Sequence, residues 1–233
     1  MARCWGVIPA AGSGSRMGLS EPKQHRVLGG KTLLGHSLDA LLRLPGMLGV
    51  VIALAADDPR ASDYRGLDER VHVVSGGAQR ADSVLAALRF LQKIAYDDDW
   101  VLVHDAARPC LTPADGERLV AEVLAHGGGG LLAEPLVDTL KRVDADGLVQ
   151  ATVDRRGLWR AQTPQMFPLV PLQQALSAAL AAGVDVTDEA SAMEWGGNPV
   201  RVVPGSPRNF KVTVPGDLEL AAFYLGLAGG AGE

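Results

Sequence analysis

The feature that most constrains this chain is an alternation. Short β-branched apolar runs take turns with longer Ala/Leu-rich stretches of helical period. Strands are predicted over residues 4–9, 49–55, 71–74, 100–105, 130–135 and 200–203. Helices are predicted over 33–44, 81–92, 114–126 and 169–182, with a last one from near Pro215 to about residue 225. The third helix has a clear start: Thr112 as N-cap and Pro113 at the first helical position, where a missing N–H costs nothing. Strands alternating with helices build a mostly parallel sheet covered on both faces. The run VVIALA is apolar throughout, as a strand buried on both faces must be.

Residues 136–158 break the rhythm. The turn-forming Asp144-Ala145-Asp146-Gly147 separates two strand-like runs, TLKRV and LVQATV, which predicts a hairpin. These runs are too polar for burial on both sides, so the hairpin is expected to project as an arm. No repeat, linker or second domain interrupts the rest, and residues 1–233 are expected to form a single domain. The tail after Leu227 is expected to fray.

Composition narrows the class. Hydrophobic residues make up 47% and charged residues 21%, which is globular, and a net charge of -5 argues against a general nucleic-acid binder. The two cysteines, Cys4 and Cys110, sit beside apolar runs with no metal-binding spacing, and read as buried thiols of a reducing compartment. No signal-peptide pattern opens the sequence and no stretch reaches the ~18 apolar residues of a membrane span, so a cytoplasmic location is expected.

The chemistry concentrates after the first strand, in Pro9-Ala-Ala-Gly-Ser-Gly-Ser-Arg-Met17. Small residues let the backbone turn tightly and converge N–H groups on an anion. Two familiar phosphate loops fail on spacing. A dinucleotide fingerprint starting at Gly12 needs Gly where Met17 stands. A P-loop ending in Gly30-Lys31-Thr32 needs its first Gly where His25 stands. What remains is P-A-A-G-x-G-x-R-M followed by Pro22-Lys23. Arg16 supplies a planar fork and Lys23 a point charge, the complement of a polyphosphate.

This string resembles the signature of nucleotidyltransferases with a nucleotide-sugar pyrophosphorylase-like fold. Within them it is most similar to the 2-C-methyl-D-erythritol 4-phosphate cytidylyltransferase family of non-mevalonate isoprenoid synthesis. GGAQRADSVLAAL, VLVHDAARP, VDTLKRV, TVDRRGLW, QTPQMF, TDEASAMEW and NFKVTVPGDLELA extend the likeness, in order, over almost the whole chain. The resemblance implies a three-layer α/β/α fold with a Rossmann-like sheet, a dimerising β-arm, CTP as donor, and Mg²⁺ or another divalent cation as cofactor. The implied reaction is attack of an acceptor phosphate on the α-phosphorus of CTP, with loss of pyrophosphate. A phosphate monoester is largely ionised at neutral pH, so no general base is needed. Positioning and charge stabilisation carry the catalysis.

Arg16, Lys23 and Lys211 match the family's catalytic cations, and Ala10, Ala11, Gly12, Gly77 and Ser83 its nucleotide-binding positions. Ser83 also reads as a helix cap, and Ala78 departs from the polar residue common among relatives. Asp105 ends a strand at the sheet's carboxyl edge, where it can hold Mg²⁺ or accept from an acceptor hydroxyl. Arg108, Thr139, Arg155, Thr163 and Thr187 match acceptor-pocket positions and suit a phosphorylated polyol. Thr139 and Arg155 fall on the arm, so a homodimer would share its sites. His104 beside Asp105 reads as structural. Ribitol 5-phosphate is the alternative acceptor, a sugar 1-phosphate uridylyl- or guanylyltransferase is another, and a non-catalytic nucleotide-binding protein is the alternative from outside enzymes.

Overall fold

A computed structural model describes residues 2–12 and 22–227. Arg16 and the tail after Leu227 lie outside the described residues. In chain order the strands are β1 (Cys4–Pro9), β2 (Val27–Leu28), β3 (Lys31–Thr32), β4 (Met47–Leu54), β5 (Val71–Ser75) and β6 (Trp100–Val103). They continue with β7 (Gly130–Pro135), β8 (Leu140–Val143), β9 (Val149–Val153), β10 (Trp159–Pro168) and β11 (Arg201–Pro204). The helices are α1 (Leu33–Leu42), α2 (Ala61–Tyr64), α3 (Arg80–Leu91), α4 (Pro113–His126), α5 (Leu169–Ala181), α6 (Glu189–Trp195) and α7 (Gly216–Tyr224).

A seven-stranded sheet runs in the order β11-β7-β10-β6-β1-β4-β5. β10 pairs antiparallel with both neighbours, and the other pairings are parallel. Residues of β1 alternate between two helical layers, because successive side chains point to opposite faces. Cys4 and Ile8 pack with Leu34, Leu38 and Leu41 of α1 and with Leu119 and Val123 of α4. Trp5 and Val7 pack with Val84 and Leu88 of α3, Leu172 and Leu176 of α5, and Met193 of α6. Leu34, Leu38 and Leu41 share one helix face and are fully buried. Each contributes about 1.5–3 kcal/mol over an exposed leucine. Thr112 caps α4 by accepting the Asp115 N–H at 3.1 Å, and Thr32 caps α1 by accepting the Gly35 N–H at 2.9 Å.

Three differences from the sequence expectation matter for the site. The strand expected over 100–105 stops at Val103, which leaves His104 and Asp105 on the sheet's rim. β10 was not expected at all, yet it lies inside the sheet, with Gln165 opposite Val103 of β6 and Trp159 opposite Pro135 of β7. α6 was not expected either. Its start is fixed by Asp188, whose carboxylate accepts the Ser191 N–H at 2.9 Å.

The arm forms where it was expected, as the two-stranded β8-β9 sheet. It leaves β7 and returns into β10, closed at its base by Leu136 N–H to the Leu158 carbonyl at 3.0 Å. At its tip Gly147 takes φ +83°, a conformation side chains resist. Val137, Val143, Leu148 and Val149 are all exposed along the arm.

Candidate functional site

From β1 the chain steps outward to β4 and β5, then crosses to the other side of β1 to form β6. The crevice beyond the carboxyl ends of β1 and β6 is therefore a topological switch point, where open α/β sheets bind ligands. β1 delivers Ala10, Ala11 and Gly12 to that crevice, β5 delivers Gly76 and Gly77, and β6 delivers His104 and Asp105.

Side chains on the neighbouring turns fix the loops. The Gln24 amide donates to the carbonyls of Ala10 at 2.8 Å and Gly12 at 2.9 Å, tying the turn that carries Lys23 to the Gly-rich loop. A Cβ on Gly76 would stand 2.7 Å from the Ala11 methyl, so the two loops touch only because residue 76 has no side chain. The Gly77 N–H donates to the Ser83 hydroxyl at 3.1 Å, and that hydroxyl donates to the Gln79 carbonyl at 3.1 Å. Ser83 is buried, and its hydroxyl holds the Gly77 loop against the first turn of α3. Ala78 is exposed.

The cations gather around Asp105. Its carboxylate takes Lys211 Nζ at 2.8 Å, Arg80 Nε at 3.1 Å and Arg108 Nε at 3.6 Å. Burial alone would raise the pKa of this carboxyl, but Arg80, Lys211 and Arg108 outweigh it and hold it well below the usual carboxylate range. Arg108 is drawn below its ordinary value by burial, against the pull of Asp105. It also donates to the carbonyls of Asn209 at 2.7 Å and Ala161 at 3.3 Å. Lys23 Nζ reaches the carbonyl of Val212, the residue after Lys211, at 3.3 Å, so these two lysines border one space.

Beneath Asp105 lies a closed hydrogen-bond relay. The Thr163 hydroxyl accepts the Asp105 N–H at 2.9 Å and meets His104 Nδ1 at 3.0 Å. His104 Nε2 lies 3.0 Å from the Arg108 carbonyl, which can only accept, so that nitrogen carries the proton and Nδ1 accepts from Thr163. Burial lowers the His104 pKa to about 4, which keeps the ring neutral. With both ring nitrogens engaged, His104 has no lone pair left for a metal.

Lys23, Lys211, Asp105, Arg108 and Thr163 therefore share one neighbourhood, with Ala10, Ala11, Gly12, Gly77 and Ser83 on its other wall. Thr187 is exposed just before α6, two residues from the buried Glu189. Thr139 and Arg155 are exposed at the base of the arm, where Arg155 donates to the Val137 carbonyl. Among the described residues no hydrogen bond or ion pair joins these two to the cluster. Sequence reasoning missed Arg80, Glu189 and Gln24. Arg80 stands in the quoted GGAQRADSV run, but its partner Glu189 lies 109 residues away, and no local pattern joins them.

The 2-C-methyl-D-erythritol 4-phosphate cytidylyltransferase family model matches residues 4–227. The Halorhodospira halophila protein of that name is 55% identical over 97% of this chain and 95% of its own length. A crystal structure of a 4-diphosphocytidyl-2C-methyl-D-erythritol synthase superposes with a TM-score of 0.85 at 36% identity, covering 97% of this chain and 99% of that one. The Thermus thermophilus 2-C-methyl-D-erythritol 4-phosphate cytidylyltransferase gives a TM-score of 0.78 at 30% identity, covering 97% and 100%.

Proposed function

Since the chain belongs to the 2-C-methyl-D-erythritol 4-phosphate cytidylyltransferase family, we propose that it transfers CMP from CTP to 2-C-methyl-D-erythritol 4-phosphate. The products are 4-diphosphocytidyl-2-C-methyl-D-erythritol and pyrophosphate. The observation that carries this reading is the cluster of Lys211, Arg108 and Arg80 around Asp105, with Lys23 bonded to the neighbouring Val212 carbonyl, at the switch point of the sheet. A polyphosphate entering there meets cations already held in place by Asp105, which is the electrostatic preorganisation such a transfer requires.

The acceptor's phosphate oxygen attacks the α-phosphorus, and the bond to the bridging oxygen of pyrophosphate breaks. Arg16, Lys23 and Lys211 stabilise charge on the α-phosphate and the leaving group. Ala10, Ala11 and Gly12, with Gly77 and its Ser83 tether, hold the nucleotide. Arg108 and Arg155 take the acceptor phosphate, while Thr139, Thr187 and Asp105 border its polyol, and the Thr163 hydroxyl seats Asp105 beneath it. No group in the cluster needs to serve as a base, in keeping with a neutral, fully bonded His104.

Mg²⁺ or another divalent cation would be held with Asp105 as the crevice's carboxylate. Both Asp105 oxygens already take cationic donors, and no group of three metal-ligating side chains occurs among the described residues. The donor set suits an ion that arrives on phosphate oxygens, with Asp105 as its protein carboxylate. When bound, such an ion neutralises charge on the nucleotide phosphates. No helix among the described residues is long and apolar enough to cross a membrane. We place the enzyme in the cytoplasm as a single-domain homodimer joined through the exposed arms, which would bring Thr139 and Arg155 of one protomer to the crevice of its partner.

Pyrophosphate release over a matrix of the four nucleoside triphosphates and several polyol phosphates tests the reaction. Turnover should require CTP and 2-C-methyl-D-erythritol 4-phosphate. Equal or faster use of ribitol 5-phosphate, or preference for another nucleotide, would overturn the assignment.

A further inference from the structure

Glu189 is the first residue of α6 and is 1% exposed. A carboxylate so buried costs several kcal/mol unless it is paired and hydrogen-bonded. Both its oxygens are taken by one guanidinium: Arg80 Nη1 at 2.6 Å and Nη2 at 3.0 Å. The remaining edge of that guanidinium, Nε, reaches Asp105 Oδ1 at 3.1 Å. Arg80 thus lies between two carboxylates and cannot rotate without losing one. Burial works against its charge, but Glu189 and Asp105 more than offset this.

The start of α6 does not depend on this contact. Asp188 caps the helix, the Gln165 amide donates to Asp188 at 2.9 Å, and the Ala190 N–H donates to Gln165 Oε1 at 2.8 Å. With the helix seated by those bonds, the Glu189 carboxylate is left to hold Arg80. Asp105 in turn shares its charge with Lys211 and Arg108, the cations of the crevice. We propose that Glu189 is a positioning residue for the transfer reaction, acting through Arg80 on the Asp105 carboxylate that seats Lys211 and Arg108; this rests on the function proposed above. Without Glu189, Arg80 is free to turn its fork onto Asp105, and Lys211 and Arg108 lose their seat. The site also gains one unit of positive charge. Nucleotide binding is then preserved while transition-state geometry is lost.

The test uses the purified full chain. For Glu189→Gln, kcat should fall about 10–100-fold, the scale of a misplacement near 1 Å, while KM for CTP stays level or drops. A purely structural role would lower the melting temperature and leave kcat per folded enzyme unchanged. Glu189→Gln combined with Arg80→Gln should lose no more than Arg80→Gln alone, because the two act in one chain. Additive losses, or a Glu189→Gln kcat within about threefold of wild type, would overturn the proposal. Should Glu189→Gln fail to fold, Arg80→Lys makes the same measurement, since it keeps the charge but cannot hold two carboxylates. A wild-type kcat for Arg80→Lys would also overturn the proposal. No turnover by the wild type would remove the reaction and the positioning role together, whereas an active wild type with an indifferent Glu189 removes the positioning role alone.

Discussion

Thr163→Val separates a scaffold hydroxyl from one that touches the acceptor. The hydroxyl at Thr163 accepts the Asp105 N–H at 2.9 Å and donates to His104 Nδ1 at 3.0 Å, and Thr163, His104 and Asp105 are all buried. Valine keeps the shape and deletes both bonds, orphaning one donor and one acceptor. Each buried unsatisfied group costs about 1–3 kcal/mol, so the variant should lose roughly 2–6 kcal/mol. At about 2–4 °C per kcal/mol for a chain of this size, the melting temperature should drop by about 4–24 °C. Thr163→Ser keeps the hydroxyl and should melt within about 4 °C of wild type. Thermal melting of the three proteins, with acceptor KM measured well below the transition, makes the comparison. If Thr163→Val melts within about 1 °C of wild type and its acceptor KM rises, the hydroxyl serves the acceptor and the relay described above is wrong.

His104 makes stability depend on pH. Its pKa falls from 6.5 to about 4 on folding, so the unfolded chain binds the extra proton first as pH drops. The stabilisation is complete above pH 6.5 and is lost progressively toward pH 4, and urea midpoints across that window should flatten in His104→Gln. Lys23→Ala and Arg16→Ala should each lower kcat by about 10²–10³, with smaller effects on CTP affinity, as steady-state kinetics would register. Mixing inactive Arg16→Ala and Thr139→Ala chains should restore activity if the arm completes its partner's site; verified subunit exchange without recovery, or a monomer in sedimentation, removes the shared site.

The alternating pattern yielded most of the sheet because its central parallel strands, such as MLGVVIAL and WVLV, read as apolar runs. β10 was hidden by its own chemistry. WRAQTPQMFP carries two prolines, an arginine and three uncharged polar residues, and proline argues against an interior strand. Its polar members are bonded inside the fold: Thr163 to Asp105, Gln165 to Asp188 and Ala190, and Gln162 to the Ser206 carbonyl. At seven residues α6 is too short to display a helical period, although Asp188 followed by Ser191 carried the capping signal. In the site, Lys23, Asp105 and Lys211 were legible because each sits in a recognisable string. Arg80 and Glu189 were not, because charged residues at helix starts ordinarily read as solvated first-turn positions. Only the approach of α3 and α6 beyond the same sheet edge makes them a part-buried pair.

Asp105 gives the crevice a resident counter-ion. Its oxygens sit on Lys211 and the two arginines in the way chloride or bulk phosphate would crowd a bare basic pocket. A polyanion that binds these cations therefore shares them with a tethered carboxylate instead of expelling a full cloud of mobile ions. Fewer small ions are set free, so binding weakens less steeply with ionic strength than the number of cations alone would suggest. A tethered anion is also never diluted away: Asp105 stays at fixed local concentration beside Lys211 and the two arginines, so a single inorganic anion gains less there than a ligand that offers several oxygens at once.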